Sequence, residues 1–182
     1  MINALIITGP SNSGKDTATK MIQERYPHSE VVKFSRPFKS LLEESFGLYP
    51  GELDTPAGKL RECPMLGRSY LDILGEAYEK GKNTIFSELW IALSMKKVLE
   101  AVQQEKLVIF NDLRNEAELA AIPDFLKVGV IKLLGRGQYL STDVWARDNL
   151  SASNKVEYWY NASNTGSKED LKEELKQVSF LP

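Results

Sequence analysis

The chain has 182 residues, enough for one domain, and its 42% hydrophobic and 26% charged residues are ordinary for a globular protein. With 23 basic and 25 acidic side chains its formal charge is −2, which excludes a global attraction to nucleic acid. The single cysteine, Cys63, excludes an internal disulfide, and one histidine, His28, is too few for a His/Cys metal cluster, so any metal is expected to have oxygen ligands.

The first third of the chain predicts two strand–helix pairs and an irregular loop. A short apolar run at residues 2–8 is typical of a buried strand, and apolar residues at helical spacing predict a helix over 15–26. A second strand at 31–34 is followed by a helix over 37–47. Residues 47–67 contain four glycines and three prolines and predict an irregular loop.

The remaining two thirds alternate predicted helices and strands. The helices lie at about 69–80, 85–104, 115–122 and 168–177, and the strands at 107–110, 128–134 and 156–160. This alternation predicts a parallel α/β sheet. No apolar run approaches the roughly 20 residues of a membrane helix, and the first residues lack the basic head of a signal peptide. We therefore expect a protein of the cytoplasm with no membrane partner.

A glycine loop of the pattern G-x-x-x-x-G-K joins the first predicted strand to the first helix. In that place the pattern indicates an anion cradle, made of backbone N–H groups at a helix N-terminus. Gly9 and Gly14 permit the tight backbone path, and Lys15 neutralises the charge of β- and γ-phosphates. The alternative is a plain glycine turn capped by Ser13. The predicted nucleotide-binding residues are Gly9, Asn12, Ser13, Gly14, Lys15, Asp16 and Thr17.

Three oxygen-bearing residues are candidate ligands of Mg²⁺. Asp16 stands where Ser or Thr usually offers a hydroxyl to the ion, and Thr17 follows it. Asp16 could hold the ion through water, orient an acceptor phosphate through a shared cation, or be a favourable acid in the first helical turn. Asp112 ends an apolar strand, the position of a Walker-B-type acid. Its alternatives are an N-cap for the helix at 115 or a salt bridge to Arg114.

Several segments match one family in the same order along the chain. They are residues 14–17 (GKDT), 34–39 (FSRPFK, for F-[SA]-x-P-[LI]-K), 68–75 (RSYLDILG, for R-x-L-L-Q-x-L-G), 88–91 (ELWI, for D-x-W-[VI]), 111–118 (NDLRNEAE, for a longer D-V-R-F-x-N-E-A-E) and 164–171 (NTGSKEDL, for N-x-G-[ST]-x-E-D-L). In these segments the chain resembles the bacteriophage deoxynucleoside monophosphate kinases.

The resemblance implies phosphoryl transfer from ATP, with Mg²⁺, to a deoxynucleoside monophosphate. The implied fold is the P-loop NTPase fold of nucleoside monophosphate kinases, three layers with a five-stranded parallel sheet flanked by helices. Residues 1–182 would form one domain, with an acceptor-binding helical region at about 36–104 and a lid at about 135–154. The partners would be small molecules and not nucleic acid, a homodimer is compatible, and the host cytoplasm is the location if a phage encodes the chain.

Phosphoryl transfer requires cationic groups around two anionic substrates. The candidate catalytic residues are Lys15, Arg114, Arg136 and Arg147, the last two in the predicted lid. The candidate acceptor-binding residues are Arg36, Lys39, Arg68, Asp72, Trp90 and Arg114. For each cation the alternative is a solvated surface position. Trp90 has helical spacing with neighbouring apolar residues, which favours core packing over stacking on a base.

Asp72 departs from the family, which has Gln at that position. A carboxylate there could accept hydrogen bonds from guanine or from the amino group of cytosine, and it would face an oxygen in thymine. Two further functions stay open: a kinase of another small acceptor, of the phosphomevalonate or dephospho-coenzyme A type, and a nucleotide-binding switch or ATPase without transfer activity. Asp16 and the shortened segment after Arg114 also leave open a degenerate kinase that binds nucleotide only.

Overall fold

Five parallel strands form the central sheet of the computed structural model, which describes residues 2–81, 87–139 and 144–182. In chain order the elements are β1 (Ala4–Thr8), α1 (Lys15–Arg25), β2 (Ser29–Val32), α2 (Arg36–Phe46), α3 (Pro56–Leu60), β3 (Glu62–Cys63), β4 (Arg68–Ser69), α4 (Tyr70–Gly81), α5 (Ser87–Gln103), β5 (Leu107–Phe110), α6 (Glu116–Ala121), β6 (Val128–Leu134), α7 (Val144–Asn149), β7 (Val156–Ser163) and α8 (Lys168–Lys176). Short 3-10 helices lie at Glu52–Asp54 and Leu150–Ala152.

β1 lies at the centre of the sheet, whose strand order is β2-β5-β1-β6-β7. Ala4 of β1 lies beside Val108 of β5 on one side and Val128 of β6 on the other, and all pairings in this sheet are parallel. Every residue of β1 is buried, as in a strand covered on both faces. The predicted five-stranded parallel sheet flanked by helices is confirmed. Its strands end at one edge, so the segments that follow them meet there.

The chain divides into two compact units. The first, here called the sheet unit, is Met1–Lys33 with Met95–Pro182, and the second, the helical unit, is Phe34–Ser94. In the sheet unit the core joins strand residues such as Leu5 to Ile22 of α1 and to Leu171 of α8. The buried side chains within α1, and likewise those within α8, recur at helical spacing, so each helix turns one apolar stripe to the sheet.

The helical unit has a small core of its own. Leu48, Leu53, Cys63 and Tyr70 are buried in it, and Phe46 of α2 packs against them. Residues 47–67, predicted to be irregular, contain α3, a 3-10 helix and β3, which pairs with β4 directly after this segment in antiparallel orientation. The prediction was wrong there because hydrogen bonds from other segments organise this stretch. Among the described residues, no helix combines the length and apolarity needed to cross a membrane.

Candidate phosphate-binding site

The loop between β1 and α1 has a backbone that only glycine accommodates at two positions. Gly9 has φ +145° and Gly14 has φ +93°, and Asn12 between them has φ +62°. A Cβ on Gly9 would lie 2.9 Å from the carbonyl oxygen of Leu133, and one on Gly14 would lie 2.6 Å from Nδ2 of Asn164. The two glycines thus allow both the left-handed turns and the close contacts of the loop.

Two contacts from distant segments hold this loop in place. Ser11 and Gln138 form an antiparallel bridge, in which the N–H of each donates to the carbonyl oxygen of the other at 3.0 and 3.2 Å. Nδ2 of the buried Asn164, just after β7, donates to the carbonyl oxygen of Ser13 at 2.7 Å. The loop is therefore fastened at both ends of its Ser11–Ser13 stretch.

The polar groups of the loop fit an anion. Nζ of Lys15 donates to the carbonyl oxygens of Gly9 and Pro10, at 2.8 and 2.6 Å, so the ammonium group lies over the loop. The hydroxyl of Ser13 is buried and has no hydrogen-bond partner in the part of the chain that the structure describes. An unpaired buried hydroxyl costs free energy, which an oxygen of a bound phosphate would recover. Gly14 is the N-cap of α1, so the positive end of the helix faces the same loop.

Asp16 is held from the neighbouring strands. Its Oδ1 accepts from Nδ2 of Asn111, directly after β5, at 3.0 Å and from Nζ of Lys33, directly after β2, at 3.1 Å. Its side chain is nevertheless 78% exposed. Within the described residues, no three His, Cys, Asp or Glu side chains come together as a ready metal site. A cation at Asp16 would therefore need oxygens from water and from a bound phosphate, which is how Mg²⁺ usually binds.

The other two candidate metal ligands lie in α1 and directly beyond Asn111 after β5. Thr17 is half-buried in the first turn of α1. Asp112 is half-buried after β5. Asn115 is the N-cap of α6, and its side chain accepts from the N–H of Glu118 in a capping box. The alternative that Asp112 caps this helix is therefore wrong.

The three candidate catalytic arginines have different partners. The half-buried Arg114 donates its backbone N–H to Glu118 at 2.6 Å. Arg136 donates through Nη2 to the carbonyl oxygen of Gly166. Arg147 in α7 makes two hydrogen bonds to Asp148, at 2.6 and 2.7 Å, which raise the pKa of its guanidinium. Of the predicted lid, residues 140–143 lie outside the described residues.

Arg36 and Lys39 lie in an ion cluster of the helical unit. Arg36 donates to both carboxylate oxygens of Glu43, at 2.6 and 3.3 Å, and to Asp54 at 3.0 Å. Lys39 donates to Asp54 at 2.7 Å. Burial raises the pKa of the Glu43 carboxyl, but hydrogen bonds from Arg36 and from the N–H groups of two loop residues outweigh it and lower the pKa. The cluster fastens the 51–54 segment to α2.

The remaining candidates of the helical unit also have local partners. Arg68 donates to Glu76 at 2.5 Å. Asp72 accepts from the hydroxyl of Ser69 at 2.6 Å, and its N–H donates back to that hydroxyl at 3.1 Å, as at a capped helix start. Trp90 is half-buried and packs edge-on against Phe38, with ring centroids 5.1 Å apart. Acceptor binding by these residues stays a prediction.

Four residues at the loop were not predicted as site residues: Lys33, Asn111, Gln138 and Asn164. Three of them directly follow strands β2, β5 and β7. A polar residue immediately after a parallel strand is a signal that could have found them, because such residues collect at one edge of the sheet. Gln138 contacts the loop through its backbone, and its residue type carries no such signal.

No family model matches this sequence, and no curated protein matches it. Solved structures that are similar to this chain include two kinases. Shikimate kinase from Bacteroides thetaiotaomicron shares 11% identity, with 98% of this chain and 97% of that chain covered and a TM-score of 0.49. Dephospho-CoA kinase from Campylobacter jejuni shares 18% identity, with 98% of this chain and 96% of that chain covered and a TM-score of 0.44.

Proposed function

We propose that this chain is an ATP-dependent P-loop kinase that phosphorylates a deoxynucleoside monophosphate. The observation that carries the proposal is the loop Gly9–Lys15, which presents backbone N–H groups, a buried unpaired hydroxyl and an ammonium group at the N-terminus of α1. These groups suit the β- and γ-phosphates of a nucleotide. The choice of acceptor is supported by the resemblance of residues 14–17, 34–39 and 68–75 to the phage kinases.

In the proposed reaction an oxygen of the acceptor phosphate attacks the γ-phosphorus in line. The bond to the oxygen that bridges the β- and γ-phosphates breaks, and ADP leaves. No protein base is required, because the acceptor oxygen is already anionic. Lys15, Arg114, Arg136 and Arg147 would stabilise the charge that spreads over the moving group. A bound Mg²⁺, with Asp16, Thr17 and Asp112 as its candidate ligands, would neutralise phosphate charge.

Acceptor binding is proposed for residues of the helical unit. Arg36, Lys39 and Arg68 would bind or surround the acceptor phosphate, and Asp72 and Trp90 would contact its base. Asp72 already accepts from Ser69, so in this proposal its second oxygen meets the base. If Asp72→Gln leaves the relative rates with dGMP, dCMP and dTMP unchanged, Asp72 does not select the base. Ser69→Ala is the matched variant, because it frees Asp72 without changing its charge.

The test is a radiolabelled phosphate-transfer assay with all deoxy- and ribonucleoside monophosphates. Lys15→Met should lower turnover by orders of magnitude, because it removes the ammonium group at the transferring phosphate. Lys20→Met is the matched control: it makes the same change on an exposed residue of the same helix and should leave turnover near normal. Nearly normal turnover in Lys15→Met would refute the kinase assignment. Hydrolysis of ATP that no acceptor stimulates would indicate the switch or ATPase instead.

A further inference from the structure

The Asp16 carboxylate is fixed although it is exposed. A carboxylate that is 78% exposed ordinarily samples several rotamers. Here two donors reach the same oxygen, Oδ1, from two strands that are neighbours in the sheet: Asn111 at 3.0 Å and Lys33 at 3.1 Å. Val32 of β2 lies beside Phe110 of β5, so the residues that follow them are side by side. The sheet therefore places both donors within hydrogen-bond distance of Oδ1 of Asp16 in α1.

Asn111 is the more rigid of the two donors. It is only 5% exposed, and its Nδ2 donates both to Asp16 and, at 3.1 Å, to Oγ1 of Thr19. Thr19 in turn donates to the carbonyl oxygen of Lys15 at 2.7 Å. An inverted amide would turn its oxygen toward the Asp16 carboxylate, which repels it, so the orientation with Nδ2 toward Asp16 is the favourable one. A buried amide that also donates to the buried Thr19 has little freedom to follow a moving carboxylate.

We propose that Asn111 is a positioning residue that fixes the Asp16 carboxylate so that its second oxygen, Oδ2, faces a metal ion bound with the nucleotide. The inference rests on the proposed function. Oδ2 has no partner among the described residues, whereas Oδ1 has two. Carboxylate oxygens are ligands that Mg²⁺ prefers, directly or through its water shell. Asn111 holds the carboxylate without adding a net charge, so orientation is the effect on metal affinity that the experiment addresses.

The experiment measures Mn²⁺ binding by electron paramagnetic resonance, with a non-hydrolysable ATP analogue bound, so its readout does not depend on turnover. Asn111→Leu should raise the Mn²⁺ dissociation constant about tenfold, the effect of losing a hydrogen bond to a charged group. Its affinity for ATP without metal should change less than about twofold. Thr19→Val is the matched comparison, because it removes the other hydrogen bond of Asn111 and leaves the donor to Asp16 in place, so it should weaken Mn²⁺ binding less than Asn111→Leu does.

A second variant keeps the test decisive if Asn111→Leu does not fold. Asp16→Asn alters an exposed residue and should weaken Mn²⁺ binding by a similar factor. In a folded double variant, Asn111→Leu should add no further loss, because both changes remove the same ligand geometry. Unchanged Mn²⁺ binding in Asn111→Leu or in Asp16→Asn would overturn the inference. If the wild-type protein still transfers phosphate in that case, the proposed function stands. A wild-type protein that binds neither the analogue nor Mn²⁺ would overturn both.

Discussion

The bridge between the glycine loop at residues 9–15 and the segment after β6 depends on one glycine. Gly137 has φ +81°, and a Cβ there would lie 2.0 Å from the carbonyl oxygen of Ser11, a backbone atom that cannot turn aside. The left-handed conformation costs a non-glycine residue about 1–2 kcal/mol. Relief of the clash requires the two hydrogen bonds between Ser11 and Gln138 to break, at about 0.5–1.5 kcal/mol each. Gly137→Ala should therefore destabilise the loop arrangement by about 2–5 kcal/mol.

Urea unfolding and ATP-binding calorimetry test this estimate together. Gly51→Ala is the matched control, because Gly51 has φ +87° but no atom within 4 Å of an added Cβ. It should lose only the conformational part, about 1–2 kcal/mol, and should keep its ATP affinity. Gly137→Ala should lose more stability and also bind ATP more weakly, because its loop is no longer held. Equal losses in the two variants, with equal ATP affinity, would refute the reasoning.

Three further predictions concern other contacts of the two units. Asn164→Asp removes the donor to the Ser13 carbonyl and should lower ATP affinity in calorimetry by about 1–3 kcal/mol. Burial raises the pKa of Glu43, but hydrogen bonds, chiefly from Arg36, outweigh it and lower the pKa from 4.5. Glu43 therefore contributes stability above about pH 4.5, and this stability is lost as the pH falls through the lower folded pKa. Unfolding of Glu43→Gln, measured between about pH 5 and 3, should show a flatter pH dependence. Asn115→Ala removes a helix cap and should reduce the free energy of unfolding by about 0.5–2 kcal/mol.

The sheet could be predicted from the sequence because its central strands are buried on both faces. β5 and β6 have the predicted bounds, Leu107–Phe110 and Val128–Leu134, because a strand covered on both sides is a continuous apolar run. β7 continues to Ser163, beyond the predicted end at 160, and much of it is not buried. Its last residues pair with β6, a non-local interaction that leaves no apolar pattern in the strand itself.

The contacts that hold the glycine loop could not be predicted because they come from far along the chain. Asn164 and Ser13 are 151 positions apart, and Gln138 reaches Ser11 through backbone atoms. The order of residues 47–67 has a similar origin, because Glu43 accepts from the N–H groups of Gly51 and Leu53. Local composition reports the glycines and prolines there, but not the buried carboxylate that organises them.

The candidate cations also differ in what they would lose on binding a phosphate. Arg68 and Glu76 are 47% and 39% exposed, and an exposed ion pair contributes about 0–1 kcal/mol, so Arg68 can be recruited at little cost. The pair of Arg147 and Asp148 is similarly exposed. Arg136 donates to carbonyl oxygens, which carry no net charge, so its own charge stays available to an anion.

Arg36 would lose more free energy than these residues if it left its partner to bind a phosphate. Its partner Glu43 is only 2% exposed, and separating a buried pair costs about 3–5 kcal/mol, with the lower end appropriate to a guanidinium that is itself 23% exposed. A phosphate would have to offset that cost before it gained any net attraction, since Lys39 and Asp54 complete a neutral cluster with this pair. Arg36 can therefore contact an acceptor only with donors that do not face Glu43 and Asp54. If it leaves Glu43 to bind the acceptor, the buried carboxylate loses this positive partner and keeps the N–H groups of Gly51 and Leu53 as donors.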